Sequence, residues 1–356
     1  MINKKQAKAM NAVIIISFVV GISMGLISFK TNRLIEAPVV IKDIKPATVR
    51  DGGETIHPVS LPALMTKEFH GGGLELREVL DDSSAYTKYF VTYKSEPVSP
   101  EGGGLSISGV MLVPKEEPPA TGFPVIFTNH GYIDPVIYTN GRGLKREYDY
   151  LARNGYVVFH SDYRNHAQSD KEPDQELRYR LGYVEDMINA VLAVQSSGLS
   201  YINKEKIGML GHSMGGGVTI NILVARPDLV DAAVLYAPVS ADARDNFDKW
   251  TTDRPEVADK IIELYGGPEL NPIFWDNLSA ITFIEKIKTP IINHHGTADD
   301  AVPFEWSERL QAELEIRGKD SILYTYPDGL HEFIGEWPLF MERNLEFFDR
   351  HLKGKF

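Results

Sequence analysis

No cysteine occurs anywhere in the 356 residues. Disulfide staples, thiolate metal sites and a cysteine nucleophile are excluded together. The compartment stays open, because a chain without thiols is at home in reducing and oxidising surroundings alike. Basic charge is also short: 37 Lys and Arg face 49 Asp and Glu, a net −12, and no basic cluster occurs in the body of the chain. Such a surface repels a phosphate backbone, so nucleic acid is not an expected partner. Internal repeats and low-complexity tracts are missing too. With 43% hydrophobic and 24% charged residues, the chain is neither fibrous nor disordered. Its length suggests about two domains, or one large α/β domain.

Charge is scarcest near the start. Lys4, Lys5 and Lys8 precede an uncharged stretch from Asn11 to Phe29. As a helix those residues would span roughly 28 Å, close to the hydrocarbon thickness of a bilayer. Residues 1–30 therefore read as a membrane anchor or as a cleaved signal segment. No clean Ala-x-Ala site follows, and the acceptor cysteine of a lipoprotein is missing. The lysines weakly favour a cytoplasmic N-terminus, so the body is expected outside the cytoplasm, anchored if the segment stays and secreted if it is cleaved. Without Lys4, Lys5, Lys8 and Lys30 the charge falls from −12 to −16, so the body should not cling to anionic lipid.

Residues 31–66 carry Pro38, Pro46, Pro58, Pro62 and Asp51-Gly52-Gly53 with weak periodicity, which reads as an extended linker. From 67 to 356 the pattern is that of a folded domain. Leu74–Leu80, Tyr89–Tyr93 and Leu105–Val113 are bounded by Gly71-Gly72-Gly73 and Gly102-Gly103-Gly104, an antiparallel meander. Continuous apolar runs follow at Val125, Val157, Ile207, Ala232, Pro290 and Ile322, separated by amphipathic segments near 143–153, 175–196, 214–226, 305–317 and 337–352. Such runs suit strands covered on both faces, so an α/β fold is expected, with a mostly parallel sheet and helices on both sides. The polar and aromatic stretch 240–286 breaks the rhythm and is expected to form a small lid insertion.

Gly211-His212-Ser213-Met214-Gly215 follows the apolar run Ile207–Leu210 and opens a helical pattern. In that setting Gly-x-Ser-x-Gly is a sharp strand-to-helix turn that exposes the serine hydroxyl. A hydroxyl is a weak nucleophile and needs a base and an orienting acid. Asp299 lies in the acidic loop that ends the strand begun at Pro290–Ile292, and His331 in the loop Tyr326–Phe333 after the run Ile322–Tyr324. The order Ser213, Asp299, His331 is that of an α/β-hydrolase triad, with all three at carboxyl ends of expected strands. His331 would take the proton from Ser213 while Asp299 holds the imidazole tautomer. Backbone N–H groups of Tyr132, in Asn129-His130-Gly131-Tyr132, and of Met214 are the expected oxyanion hole.

From about Leu74 to Leu352 the chain resembles α/β-hydrolases, in particular dienelactone-hydrolase-like and cinnamoyl-esterase-like enzymes and the catalytic domain of the prolyl oligopeptidase group. The resemblance rests on His130-Gly131-Tyr132, Asp162-Tyr163-Arg164, Gly211–Gly216, Gly296-Thr297-Ala298-Asp299-Asp300-Ala301-Val302-Pro303 and Gly329-Leu330-His331-Glu332-Phe333. It implies that Asp299, the acid before x-x-Val-Pro, is the triad member rather than Asp300. One departure is Arg164-Asn165-His166-Ala167, where Arg-Gly-x-Gly is usual, so that loop is expected to have an unusual shape. His212, His294 and His295 read as structural or solvent-exposed. His160, His166 and Asp162 could be mistaken for metal ligands, but an Arg164–Asp186 ion pair is the better reading. Asp242 and Asp245 rank below Asp299 as the acid.

These residues suit acyl transfer to water, with no cofactor and no metal expected. The first expectation is a hydrolase of small or medium acyl or aryl esters. The alternative is an exo- or oligopeptidase acting on short peptides. That group usually carries a propeller of roughly 300 residues, which the residues before Leu74 cannot supply. An acyltransferase and an inactive binding protein are further options, though no triad residue is lost. Aspartate would have to replace Ser213 for a haloalkane dehalogenase. Nothing in the sequence fixes the oligomeric state.

Overall fold

The structure, a computed structural model, describes residues 56–96 and 104–355. The anchor or signal segment and most of the expected linker lie outside the described residues. Among those described, no helix is long and apolar enough to cross a membrane.

Nine strands form one sheet in the order β1-β2-β3-β5-β4-β6-β7-β8-β9. The first three, β1 (Gly72–Asp82), β2 (Tyr86–Ser95) and β3 (Leu105–Pro114), are the antiparallel meander, and β3 also pairs antiparallel with β5 (Val157–Ser161). From β5 onward every pairing is parallel, through β4 (Phe123–Asn129), β6 (Ile202–His212), β7 (Ala232–Tyr236), β8 (Ile291–Gly296) and β9 (Ser321–Tyr326). All residues of β4, β5, β7 and β8 are buried, which is why they read as unbroken apolar runs.

The helices divide between the faces. On one side α1 (Leu61–Thr66), α3 (Leu181–Ser196), α4 (Met214–Ala225) and α8 (Phe304–Ile316) share a core with Met111, Phe127, Met209 and Leu235 of the sheet. On the other, α2 (Lys145–Arg153) and α9 (Trp337–Leu352) pack on Val110, Ile126, Leu210 and Val234. Alternation along each strand sends successive side chains to opposite cores. Between β7 and β8 the chain forms α5 (Ala243–Asn246), a π-helical turn, α6 (Pro255–Tyr265), α7 (Pro272–Leu278) and a 3-10 turn.

Two readings need correction. The end of the linker is not extended: Leu61–Thr66 is helical, with Ser60 accepting from the Ala63 N–H at 3.1 Å and Pro62 in its first turn. Leu61 and Leu64, three apart, are buried against the domain, so six residues with a cap, a proline and two apolar anchors dock where weak periodicity suggested a tether. The helix expected from 175 begins instead at Leu181, because Tyr179 and Arg180 adopt φ of 53° and 57°.

The segment ahead of that helix is held by a buried ion network. Arg164 meets Glu172 at 2.7 Å, Asp186 at 2.7 Å and Glu185 at 3.3 Å, and its side chain is fully buried. Arg178 pairs with Glu172 and with Glu185, and Lys67 reaches Glu185 at 2.7 Å. Three cations balance three carboxylates. At positions 165 and 167, where glycine is usual in the resembling enzymes, Asn165 and Ala167 have φ of 72° and 46°. Asn165 spans the turn, donating to Glu172 O at 2.9 Å and accepting from the Glu172 N–H at 2.6 Å.

Arg164→Met is expected to lower unfolding stability by about 3–5 kcal/mol, since it leaves one excess carboxylate charge buried. Burial alone would raise the Glu185 carboxyl, but Arg178, Lys67 and Arg164 hold it down to about 2. A depressed carboxylate contributes stability above its unfolded value, near 4.5, which is lost as pH falls toward 2. Urea unfolding at neutral pH and at pH 3 measures both effects. A loss below about 1 kcal/mol at neutral pH would show that the network is not stabilising as a unit.

Candidate active site

Strand β6 ends at His212 and helix α4 starts at Met214, leaving Ser213 alone in the turn at φ 54° and ψ −120°. That conformation is costly for a residue with a Cβ and is fixed from several sides. The Ser213 N–H donates to Tyr236 O at 2.8 Å. The flanking glycines are required by close approach: a Cβ on Gly215 would lie 2.0 Å from Asn129 O, and one on Gly211 would lie 2.3 Å from Gly215 O. Only hydrogen fits at either position.

Asp299 and His331 come together at the ends of β8 and β9. His331 Nδ1 lies 2.8 Å from Asp299 Oδ2 and donates to it, which leaves Nε2 without a proton to accept one. Asp299 takes three further hydrogen bonds. The Ala301 and Val302 N–H groups donate to Oδ1 at 2.8 Å each, and His295 Nε2 stands 3.1 Å from Oδ2. Burial alone would raise this carboxyl, but His295, His331 and the Val302 N–H hold it well below the usual range. Asp299 is therefore ionised across the neutral range, and its carboxylate is completely buried while Asp300 is exposed.

The third link is open. Among the described residues the Ser213 hydroxyl makes no hydrogen bond to His331. The His331 ring instead packs at 4.7 Å, centroid to centroid, on His212, the residue before the serine. Catalytic hydrogen bonds commonly tighten only when substrate binds. The histidine sits in a tight loop with Asp328 and Phe333 at φ of 56° and 24°. His212 itself is pushed down to about 3 by burial and by His331, so it stays neutral beneath the ring.

Gly131 abuts the elbow, where an added Cβ would be 3.2 Å from Ser213 Cβ. Tyr132 and Met214 line one cavity with Ser213. Among the described residues neither their N–H groups nor the Ser213 hydroxyl donates to the rest of the chain, so both amides are unengaged next to the serine. Such a pair can hold a developing oxyanion. Asp162, at the end of β5, gathers Ser108, Tyr138, Asn140 and the Gly141 N–H at 2.6–2.9 Å and so ties the loop after β4 to β3.

The other candidates fall elsewhere. Asp242 caps α5 through the Arg244 N–H at 2.9 Å, and Asp245 pairs with Arg309. Neither reaches His331. His294 is buried, 2.8 Å from the Tyr326 hydroxyl. Sequence reasoning missed His295 as a partner of Asp299. Two acceptors, Asp299 and Val302 O at 3.1 Å, face its Nε2, so the proton sits there, and Ser307 donates to Nδ1 at 2.6 Å. The spacing His295–Asp299 within one strand-end loop was the available signal.

The cavity next to Ser213 has a volume of about 400 Å³. Its walls come from α4, from the segment ahead of α3, and from the insertion, through Asn246, Trp250, Arg254 and Ile261. It also contains Glu176 and Arg180, which no motif marked.

The sequence model of the prolyl oligopeptidase family matches residues 142–355, more than half of the chain. The uncharacterized peptidase YuxL of Bacillus subtilis is 25% identical over 239 residues, which cover 64% of this chain and 34% of that protein. The chain thus spans about a third of that relative's length. The dipeptidyl peptidase 4 structure of Porphyromonas gingivalis superposes with a TM-score of 0.57 at 22% identity, covering 75% of this chain and 36% of the other. The acetyl xylan esterase of Paenibacillus sp. R4 gives 0.60 at 19% identity, covering 80% of this chain and 91% of the esterase. Both likenesses establish the α/β-hydrolase fold.

Proposed function

The chain belongs to the prolyl oligopeptidase family, and we propose that within it the protein is an esterase for small or medium acyl or aryl esters. It is a serine hydrolase by family. The finer reading rests on one observation: a strained serine opens into a 400 Å³ cavity next to two unengaged backbone N–H groups. A volume of that size suits one small acyl or aryl group with its alcohol.

In this reading Ser213 attacks the ester carbonyl as His331 Nε2 takes its proton. The tetrahedral oxyanion rests on the Tyr132 and Met214 N–H groups. His331 returns the proton to the departing alcohol, and water then repeats the sequence on the acyl-enzyme. Asp299 keeps the His331 proton on Nδ1 and stabilises the transient imidazolium. Four bonds at the acyl carbon change in all: the Ser213 Oγ–C bond forms as the bond to the alcohol breaks, then the bond to water forms as Oγ–C breaks, and His331 carries the proton each time.

The peptidase reading has support of its own, since YuxL and dipeptidyl peptidase 4 carry that activity in their names. A panel of aryl esters of graded acyl length, assayed beside aminoacyl arylamides, separates the two. Esters are expected to be cleaved faster by about tenfold or more in kcat/KM. Arylamides cleaved faster than every ester would make the protein a peptidase.

A further inference from the structure

The cavity beside Ser213 carries the opposite charge from the rest of the molecule. The whole chain has a net charge of −12. Of the residues lining the cavity, the charged ones are Arg180, Arg254 and Glu176, which sum to +1. Both guanidinium groups converge on one oxygen: Arg254 Nη1 is 2.5 Å and Arg180 Nη2 is 3.3 Å from Glu176 Oε1. Burial would raise the Glu176 carboxyl, but the two arginines hold it below its usual value. A single carboxylate cannot satisfy two arginines. Each guanidinium has five N–H groups. Here one from Arg254 and one from Arg180 go to Glu176, and one more from Arg180 meets Met214 Sδ at 3.3 Å.

Arg180 is placed there deliberately by the backbone. Tyr179 and Arg180 both have positive φ, and the preceding turn is fastened by the Arg164 network through Glu172 and Arg178. Consecutive left-handed non-glycine residues persist only when the surroundings impose them. The guanidinium lies 5.0 Å from the Tyr132 ring centroid, beside the expected oxyanion hole. Two residues that line the cavity, Tyr179 and Asn246, each carry a buried polar atom, the hydroxyl and Oδ1, without a partner among the described residues.

We propose that this cavity selects substrates carrying a carboxylate, received by Arg254 and Arg180 in place of or alongside Glu176. The inference rests on the esterase reading and names its substrate class. Planar carboxylate against guanidinium gives paired charge-assisted hydrogen bonds, stronger than neutral ones and sharpened by partial burial. A substrate with a cationic amine is disfavoured, because Glu176 already has two cations against it. The carboxylate could stand on the acyl side or on the alcohol side of the scissile ester.

The test compares matched anionic and uncharged pairs on the full chain. For the acyl side, 4-nitrophenyl hydrogen adipate is set against 4-nitrophenyl hexanoate. For the alcohol side, 4-acetoxybenzoate is set against 4-acetoxybenzamide. In at least one pair the anion is expected to be favoured by about tenfold or more in kcat/KM, mostly through KM. The pair that shows it identifies the side. Arg254→Gln should reduce that ratio to about threefold or less, and Arg254→Lys should restore part of it. Because each ratio is internal to one variant, a general loss of activity does not imitate the effect. Equal rates in both pairs, or a preference that survives Arg254→Gln, overturns the proposal while leaving the esterase reading intact. So does faster cleavage of a free-amine aminoacyl ester that is lost in Glu176→Gln. If no ester is turned over, the esterase reading fails. Calorimetry on Ser213→Ala with 6-anilino-6-oxohexanoate against hexananilide then decides the inference alone, equal affinities rejecting it.

Discussion

Ser213→Ala is expected to reduce kcat on the ester that the protein cleaves best by on the order of 10⁵-fold, with little change in KM. The size follows from what the residue would do. Without the hydroxyl no acyl-enzyme forms, and the remaining acceleration comes from binding and the two backbone N–H groups. His331→Ala should lose about as much, and the double variant barely more, because nucleophile and base act as a unit. Structure should survive in both. Alanine at 213 keeps the Cβ and the N–H that donates to Tyr236 O, and His331 lies in a surface loop after β9. Pre-steady-state kinetics with a chromogenic ester provide the measurement: the wild type gives a burst of alcohol release and the serine variant gives none. A burst in Ser213→Ala, or full turnover in His331→Ala, would remove both residues from the mechanism. Multiplicative losses would show that the open Ser213–His331 link never closes during turnover.

Local pattern carried the sheet and the elbow. Strands buried on both faces show as unbroken apolar runs whatever they pack against, so β4 to β8 were legible. The glycines around Ser213 were legible because the turn admits no Cβ at 211 or 215, a constraint written at fixed spacing. Asp299 and His331 were picked out by chain order and by their places after the fifth and sixth apolar runs, and Asp299 over its neighbour Asp300 only by the family resemblance. Arg180, Glu176 and Arg254 were not legible. Their meeting depends on two left-handed residues ahead of α3 and on the path of the insertion after β7, and neither leaves a periodic trace. The helix Leu61–Thr66 was missed for a related reason. Six residues are too few to show a helical period, and their stability comes from burial of Leu61 and Leu64, not from propensity.

Asp299→Asn should lower kcat by about 10⁴-fold while leaving the fold in place. The wild-type carboxylate accepts four hydrogen bonds, from the Ala301 and Val302 N–H groups, His331 and His295. An amide can satisfy the first two through its oxygen, as Oδ1 does. Its nitrogen then occupies the Oδ2 position and presents two donors to two imidazole N–H groups. His331 relieves that conflict most easily by moving its proton to Nε2, the atom that must accept from Ser213. The variant therefore holds the base in the wrong tautomer. His295 is pinned by Ser307 and Val302 O and has less freedom to adjust, so the relief falls on His331. Acid stability changes as well. Because the folded-state carboxyl lies below its ordinary value, it contributes stability above the unfolded pKa, and that contribution fades as pH falls toward the folded value. The asparagine variant lacks this contribution, so its unfolding midpoint should vary less with pH across the acid range than that of the wild type. Activity retained within about tenfold, together with an unchanged acid profile, would exclude Asp299 as the group that orients His331.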